Sequence, residues 1–233
     1  MHITARTRIK RVLSRLLPDL PQLRKLAYLP KLESWRRERA HGVPLLADGF
    51  RLFDFLAAEV VGRDEPLTYL EFGVFEGKSM RHWLGLNSHP DSRFWGFDTF
   101  CGLPEDWDFF RGRRERGTFD AHGQLPAIAD GRVRFVEGLF QDTLPGFLAA
   151  HRTEGHLVVN VDCDLYSSAL YVLTRCNDIL TTGAIVVFDE FSSVAHEFRA
   201  LEDYCSAYRR DYDVIAATLS PIGYYGQVAI RMR

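Results

Sequence analysis

Three apolar, strand-like stretches of the sequence end in carboxylates, four in all. They are Asp98, Asp162, Asp189 and Glu190. The carboxyl ends of parallel strands share one edge of a sheet, so we expect these side chains at the same edge. Crowded carboxylates are costly unless a cation neutralises them, and oxygen ligands suit Mg²⁺, Ca²⁺ or Mn²⁺. The sequence therefore predicts a divalent-cation site with Asp162, Asp189 and Glu190 as ligands. The alternative is that these acids cap helices or face water.

A glycine-containing turn precedes these acids in the chain. It has the pattern Glu71-x-Gly73-x-x-x-Gly77, follows an apolar run that starts at Leu67, and leads into a helix-favouring segment. Such a strand–turn–helix unit exposes backbone N–H groups at the sheet edge, where a cofactor can dock. Dinucleotide binding requires G-x-G-x-x-G, and Phe75 stands where the second glycine would be, which argues against a nicotinamide-dependent oxidoreductase. A turn formed only for packing is the alternative.

Two further positions extend the predicted cofactor site. Asp98 follows the glycine turn by about 20 residues, where an acid accepts hydrogen bonds from ribose hydroxyls in nucleoside-binding folds. Its alternative role is to cap a turn. Gly138 follows the third predicted strand and reaches the same sheet edge. The predicted cofactor contacts are Glu71, Gly73, Gly77, Ser79, Asp98 and Gly138.

Strand-like and helix-like stretches alternate along most of the chain. This order predicts an α/β domain with a mostly parallel seven-stranded sheet, helices on both faces and an antiparallel last strand. The first strand begins at Leu67, and the others are expected at 93–98, 132–136, 157–162, 184–188, 213–219 and 225–232. A helix is expected to start near Pro145, because proline is favoured in a first helical turn.

Basic residues are concentrated near the start of the chain. Residues 1–43 are rich in Arg and Lys, have few acids and carry apolar residues at helical spacing, so we predict a basic helical N-terminal extension before a domain at 44–233. The favoured interpretation is a cap on the domain or on a second subunit, which would make a homo-oligomer. A basic face on a membrane surface and a targeting peptide are the alternatives.

Residues 99–131 show no convincing hydrophobic period. Long irregular stretches in compact domains are usually lids or binding loops, so a lid-like loop is predicted. The segment carries four arginines, Arg111, Arg113, Arg114 and Arg116. These side chains either attract an anionic group of a substrate or form a solvated surface.

Five motifs occur in a characteristic order. They are Glu71-Phe72-Gly73-Val74-Phe75-Glu76-Gly77-Lys78-Ser79, Gly96-Phe97-Asp98-Thr99-Phe100 with Gly102-Leu103-Pro104-Glu105, Asp142-Thr143-Leu144-Pro145, Asp162-Cys163-Asp164-Leu165-Tyr166-Ser167-Ser168 and Val187-Phe188-Asp189-Glu190-Phe191. Together they resemble the macrocin O-methyltransferase family, the sugar O-methyltransferases of macrolide antibiotic biosynthesis. The resemblance implies a Rossmann-like class I methyltransferase fold that uses S-adenosylmethionine and Mg²⁺ to methylate a hydroxyl. It also implies metal ligands at Asp162, Asp189 and Glu190, although the family usually has Asp at the last position.

The predicted function is therefore S-adenosylmethionine-dependent O-methylation of a small molecule, with a sugar or glycosylated natural product as the first choice of acceptor. Candidates for the base that takes the hydroxyl proton are Asp162, His122 and His196, and we select Asp162 and His196 as the predicted catalytic residues. A histidine at a helix start is also commonly a cap. A catechol-type diol methyltransferase and a non-catalytic S-adenosylmethionine-binding protein are the alternatives.

Composition narrows the expected partners and location. The formal net charge of −2 gives no reason to expect nucleic-acid binding. The four cysteines are scattered without zinc-ligand spacing, which favours reduced thiols. No apolar run approaches the ~20 residues that span a bilayer. We predict a cytoplasmic protein with a small-molecule substrate and without nucleic-acid or membrane partners.

Overall fold

A computed structural model describes residues 21–109, 112–220 and 223–233 of the 233-residue chain. The predictions that fall on residues 1–20, which include most of the basic apolar-periodic stretch, and on Arg111 lie outside the described residues.

The described residues form an eight-stranded sheet and a separate two-stranded hairpin. The strands are β1 Leu45–Leu46, β2 Leu67–Phe72, β3 Arg93–Asp98, β4 Trp107–Phe109, β5 Gly112–Arg114, β6 Val133–Glu137, β7 His156–Val161, β8 Ile185–Phe188, β9 Tyr212–Leu219 and β10 Tyr225–Met232. The sheet order is β1-β9-β10-β8-β7-β2-β3-β6. β10 is antiparallel to both of its neighbours and the other pairs are parallel. The predicted mostly parallel sheet with an antiparallel last strand is confirmed.

Helices cover both faces of this sheet. They are α1 Pro21–Arg39, α2 Gly49–Leu56 with a π-helical continuation Ala57–Val61, α3 Lys78–Leu86, α4 Phe140–Ala150, α5 Tyr166–Arg175 and α6 Glu197–Tyr208. Alternate residues of β2 enter two different cores: Leu70 and Phe72 pack with α1, α4, α5 and α6, whereas Leu67 and Tyr69 pack with α2 and α3. None of the helices in the described part of the chain is long and apolar enough to cross a membrane.

The central strands have side chains buried on both faces. Every residue of β2 and β8 is buried, and so is every residue of β7 except His156. Parallel strands covered by helices on both sides need continuous apolar runs rather than alternation. The same runs make the carboxyl ends of these strands the first places where charged side chains can stand.

The sheet contains one strand more than the seven predicted. β1 has only two residues, which pair in parallel with β9 through Leu45–Ala217 and Leu46–Thr218. A strand this short shows no measurable period, so the pattern of the sequence could not reveal it.

Helix α4 begins at Phe140, five residues earlier than the predicted start near Pro145. A proline inside a helix cannot donate to the carbonyl four residues back, which here is the carbonyl of Gln141. The hydroxyl of Tyr171 donates to that carbonyl at 3.4 Å. Tertiary packing therefore supplies the missing donor, and the helix tolerates Pro145 in its interior.

The segment 99–131 is more regular than predicted. β4 and β5 pair antiparallel, with Trp107 opposite Arg114. Further out from the tip, the amide of Leu103 donates to Thr118 O and the amide of Gly117 donates to Leu103 O, each at 2.9 Å. Three-residue strands are too short to leave a hydrophobic period, so this hairpin was missed.

Helix α1 packs against the sheet domain through Trp35, although it lies within the predicted extension. The Trp35 side chain is 4% exposed, and its indole N–H donates to the Tyr212 hydroxyl at 2.7 Å. Its ring lies 4.8 Å from that of Phe191. The helix also continues through Pro30 without a break. The boundary between extension and domain at residues 43 and 44 stays a prediction.

This packing predicts that Trp35→Ala destabilises the whole domain. The substitution removes a buried aromatic side chain and leaves the Tyr212 hydroxyl without its donor, which should cost about 3–5 kcal/mol of unfolding free energy. Chemical denaturation followed by tryptophan fluorescence and circular dichroism measures this loss. Leu26→Ala is the matched control, since Leu26 lies on the same helix and is 60% exposed; its cost should stay within about 0.5 kcal/mol. Equal stability of the Trp35→Ala and native proteins would contradict the prediction.

Candidate active site

A cavity of about 640 Å³ opens at the carboxyl edge of the sheet. The predicted site residues in its wall are Gly73, Ser79, Asp98, Gly138, Asp162, Asp189 and Glu190. Three other predicted site residues, Glu71, Gly77 and His196, do not line it. The structure thus brings most of the predicted residues around one space.

Gly73 lies where β2 ends beside β7. Its φ is +93°, and a Cβ there would overlap the carbonyl oxygen of Asp162 and lie 2.7 Å from the carbonyl carbon. The Gly73 amide donates to Phe97 O and the Asp162 amide donates to Phe72 O, each at 2.9 Å. Only glycine combines this φ with so close a backbone approach. The glycine turn is therefore in direct contact with the backbone of Asp162, the residue that carries the first carboxylate.

Gly77 lies outside the cavity wall and allows a close packing contact. It has φ +73° at the start of α3, and a Cβ there would lie 3.0 Å from Cβ of Pro126. Pro126 belongs to the segment 99–131, which also contacts the turn through Phe119, whose ring centroid is 5.7 Å from that of Phe75. For Gly77 the structure favours the packing alternative over direct cofactor contact.

The Asp98 carboxylate holds the glycine turn in shape. Its Oδ2 accepts hydrogen bonds from the amides of Val74 at 2.7 Å and Phe75 at 2.8 Å. Its Oδ1 accepts from the amide of Phe100 at 2.8 Å. The side chain also lines the cavity, so its remaining lone pairs are available to a ligand. The predicted turn-capping and ligand-facing roles of Asp98 are compatible.

Glu71 lies beneath the cavity rather than in its wall. Its side chain is 1% exposed, and it stands opposite Asn160 in the β2–β7 register. Burial raises the pKa of the Glu71 carboxyl well above its ordinary value, and the neighbouring carboxylates of Asp98 and Asp189 raise it further, against a lowering by Tyr69. This position beneath the wall does not favour the predicted direct contact between Glu71 and a cofactor.

The carboxylates at the ends of β7 and β8 share one buried region. Burial raises the pKa of Asp162 well above its usual range, and the charge of Asp189 raises it further. Burial also raises the pKa of Asp189, and it raises that of Glu190 to about 7 with help from Asp189. Asp164 has its pKa raised to about 8 by the same desolvation. The acids therefore repel one another, and no cationic side chain in the described part of the chain forms an ion pair with them.

Gln227 on β10 contacts this cluster and was not predicted. Its Nε2 donates to Oδ1 of Asp189, and its Oε1 is buried without a partner among the described residues. Gly49 at the start of α2 packs on the same amide, where a Cβ would lie 2.6 Å from Cδ of Gln227. The residue lines the cavity. No motif singles out a glutamine in a last strand, so only the fold reveals this contact.

Within the described residues, no three His, Cys, Asp or Glu side chains are arranged to hold a metal ion. Asp162, Asp189 and Glu190 border one cavity, but their side chains do not converge on a common point. The carboxylate oxygens of these three acids are ligands of the kind that divalent cations prefer. Within the described residues, however, they are not arranged in a complete coordination geometry.

His196 is engaged on both ring nitrogens by the backbone. Its Nδ1 accepts from the Tyr166 amide at 3.2 Å, and its Nε2 lies 2.9 Å from Asp108 O. This pattern requires the neutral tautomer with the proton on Nε2. Burial lowers the pKa of the ring and favours the same state. His196 therefore lacks a free nitrogen to accept a proton, and the arrangement does not support its predicted catalytic role.

The other histidine candidate, like His196, does not line the cavity. His122 has a side chain that is 82% exposed and pairs with Asp120 at 3.3 Å. Among the candidates for a base, only Asp162 lines the cavity.

The comparison with known proteins agrees with this geometry. The model of the macrocin O-methyltransferase family matches residues 49–226. The chain belongs to this family. The matched range spans both the glycine turn and the carboxylate pair at the end of β8.

Two curated relatives are similar in sequence. One is the 8-demethyl-8-(2,3-dimethoxy-α-L-rhamnosyl)-tetracenomycin-C 4′-O-methyltransferase of Streptomyces olivaceus, 31% identical over 157 residues that cover 58% of this chain and 58% of that protein. The other is the demethyldecarbamoylnovobiocin O-methyltransferase of Streptomyces niveus, 26% identical over 173 residues that cover 67% of this chain and 63% of that protein. The match therefore spans less than two thirds of the length of either relative.

The fold recurs in a solved structure. The calicheamicin methyltransferase CalS11 superposes with a TM-score of 0.57 at 23% identity, over 99% of this chain and 94% of that one. Together with the sheet order, this likeness confirms the predicted class I methyltransferase fold.

The hydrogen bonds of Asp98 predict a stability cost for Asp98→Asn. The side-chain amide of the variant can accept from the N–H groups of Val74 and Phe75 only if its NH₂ group faces the N–H group of Phe100. One charge-assisted hydrogen bond is then replaced by two donors that face each other. We expect a loss of about 1–3 kcal/mol in unfolding free energy, measured by urea denaturation. Asp91→Asn in an exposed loop is the control and should be neutral. Unchanged stability of Asp98→Asn would show that the carboxylate does not fix the turn.

Proposed function

We propose that this protein is an S-adenosylmethionine-dependent O-methyltransferase that acts on a hydroxyl of a sugar or glycosylated natural product. The observation that carries the proposal is the shared cavity, whose wall contains both a glycine turn shaped by Asp98 and the half-buried carboxylates of Asp162 and Asp189.

The residues in the wall fit S-adenosylmethionine. The start of α3 has neither a side-chain cap nor an acid in its first turn, so its free N–H groups suit the carboxylate of the methionine part. Ser79 lies in that first turn. Asp98 would accept from the ribose hydroxyls, and Gly138 with the apolar Leu139 and Phe140 would border the adenine. S-adenosylmethionine, when bound, supplies the methyl group; Glu71 and Gly77 act behind the wall, as supports.

The donor set also fits Mg²⁺. Asp162, Asp189 and Glu190 offer only carboxylate oxygens, and their crowding in a buried region is relieved by a cation. Glu190 would reach the ion with a side chain one methylene longer than the usual Asp. Bound there, Mg²⁺ would polarise the acceptor hydroxyl and lower its pKa.

Asp162 is the residue we propose as proton acceptor. It is the base candidate in the cavity wall, where a carboxylate oxygen is placed to accept the proton of a bound hydroxyl. Phe50 and Phe53 in the same wall limit the access of water to this region. His196 has a positioning role in this scheme, because it ties the β4–β5 hairpin to the start of α5.

The acceptor class rests on the family and on the relatives. The names of the two curated relatives specify a rhamnosyl-tetracenomycin and a novobiocin precursor. A sugar hydroxyl on a natural product is therefore the proposed acceptor. A catechol-type diol is the second candidate, because two adjacent hydroxyls would chelate a bound cation. Four free cysteines support a reducing, cytoplasmic location. A homo-oligomer formed through residues 1–43 stays a prediction.

Cofactor binding is tested by calorimetric titration with S-adenosylhomocysteine. We expect one site per chain in the native protein and a loss of about tenfold or more in Gly73→Ala, since a Cβ there pushes the turn away from Asp162. The matched control is Gly85→Ala in α3, where a Cβ meets open space. Thermal unfolding of each variant establishes that it is folded. Equal affinity of Gly73→Ala and the native protein would contradict the proposed site.

Methyl transfer is tested with labelled S-adenosylmethionine and a panel of glycosides and diols. EDTA should abolish transfer and Mg²⁺ should restore it. Asp189→Asn should raise the half-saturating Mg²⁺ concentration by about tenfold or more, because one charged ligand is lost. Asp178→Asn, which changes an exposed acid outside the cavity, should leave it unchanged. Transfer that is insensitive to EDTA would remove the metal from the proposal, and the absence of transfer to every acceptor would favour a non-catalytic S-adenosylmethionine-binding protein.

A further inference from the structure

The β4–β5 hairpin contributes three residues to the wall of the cavity. Trp107, Phe109 and Arg114 of this hairpin line the cavity. The hairpin is held by two bonds to its backbone: the ammonium group of Lys25 in α1 donates to Phe109 O at 2.6 Å, and His196 donates to Asp108 O at 2.9 Å. The backbone of β4 is therefore anchored next to the cavity.

Arg114 is the cation that this wall presents. Its neighbour Arg113 forms an ion pair with Asp106, whereas Arg114 makes neither an ion pair nor a side-chain hydrogen bond with the described residues. Its guanidinium carbon lies 5.8 Å from the centre of the Phe109 ring. Five N–H donors thus remain available at the edge of the cavity.

Trp107 stands opposite Arg114 in the hairpin register and adds a second donor. Its side chain is 5% exposed, and its indole N–H is buried without a partner among the described residues. A buried donor without an acceptor costs free energy unless a ligand or water supplies one. Indole and guanidinium groups only donate, so a ligand that satisfies both must offer acceptor oxygens.

The sheet edge and the hairpin therefore bring opposite charges to the cavity wall. The sheet edge carries Asp162, Asp189 and Glu190, and the hairpin carries Arg114. Asp164 is close enough to feel the charge of Arg114, but the two side chains form no ion pair. An acceptor with an anionic group would be repelled from the carboxylate end and attracted to the hairpin, and this places its neutral hydroxyls toward the carboxylates.

We propose that Arg114, with Trp107, forms a subsite for an anionic oxygen group, phosphoryl or carboxylate, attached to the sugar acceptor. This inference rests on the proposed function, because it specifies the acceptor of the same site. A guanidinium binds such groups with two parallel, charge-assisted hydrogen bonds, which gives orientation as well as affinity. The subsite is a specificity element and takes no part in proton or methyl transfer.

The test compares matched sugars with and without the anion. Glucose 1-phosphate, glucuronic acid and methyl glucoside serve as the phosphoryl, carboxylate and neutral probes. Each is titrated against the intact protein saturated with S-adenosylhomocysteine, which reads binding independently of turnover. We expect at least one anionic probe to bind more tightly than methyl glucoside, and Arg114→Gln to weaken that probe by roughly 10- to 100-fold without changing the neutral one.

Arg116→Gln is the matched control, because Arg116 is an exposed arginine beyond the same hairpin and does not line the cavity. It should change anion binding by less than about twofold. The probe that loses affinity in Arg114→Gln identifies the phosphoryl or the carboxylate source. Equal losses for charged and neutral probes, equal losses in both arginine variants, or no preference for an anion in the native protein would overturn the subsite. Arg114-dependent anion binding without methyl transfer to any acceptor would leave the subsite standing and would instead reject the proposed function.

Discussion

The close approach of β2 and β7 is the constraint on which the site depends. Gly73 touches the carbonyl of Asp162, so the turn that faces the cofactor space and the first buried carboxylate belong to neighbouring strands, about 4.8 Å apart. No side chain can stand between them. The register of two buried parallel strands therefore sets the distance between the proposed methyl donor and the acceptor oxygen, and Asp98 stabilises the turn from the third strand.

This arrangement concentrates negative charge where water is scarce. The raised pKa values of Asp162, Asp189 and Glu190 are the direct consequence, because burial and mutual repulsion both favour the neutral acids. Gln227 supplies an uncharged donor to Asp189, whereas the buried Glu197 accepts from the Glu190 amide at 2.9 Å, fixes the turn and adds a further acid to the cluster. Neither contact supplies positive charge, so a cation or bound protons must complete the site.

Features that repeat along the chain were predictable, and features made by single contacts were not. Continuous apolar runs predicted the seven longer strands of the sheet. The ends of these strands predicted that the carboxylates line one cavity, because topology alone brings those ends together. Gln227 escaped prediction since its partner Asp189 lies on another strand. Gly77 matched a cofactor motif, and only the fold shows that it lies outside the cavity wall and close to Pro126. His196 was predicted as a catalytic residue. Its hydrogen bonds to two backbone groups leave neither ring nitrogen free, and only the fold reveals those bonds.

The hairpin links the site to elements that carry no chemistry themselves. Lys25 connects it to α1, and α1 is fixed by Trp35 in the main core, so the position of Arg114 depends on a helix at the far end of the sequence. His196 connects the same hairpin to the start of α5, directly after the Asp162–Asp164 segment. A movement of either anchor would therefore change the acceptor end of the cavity. The segment that carries the hairpin also packs on the glycine turn through Pro126 and Phe119, so the acceptor wall and the proposed methyl-donor half are linked by the same stretch of chain.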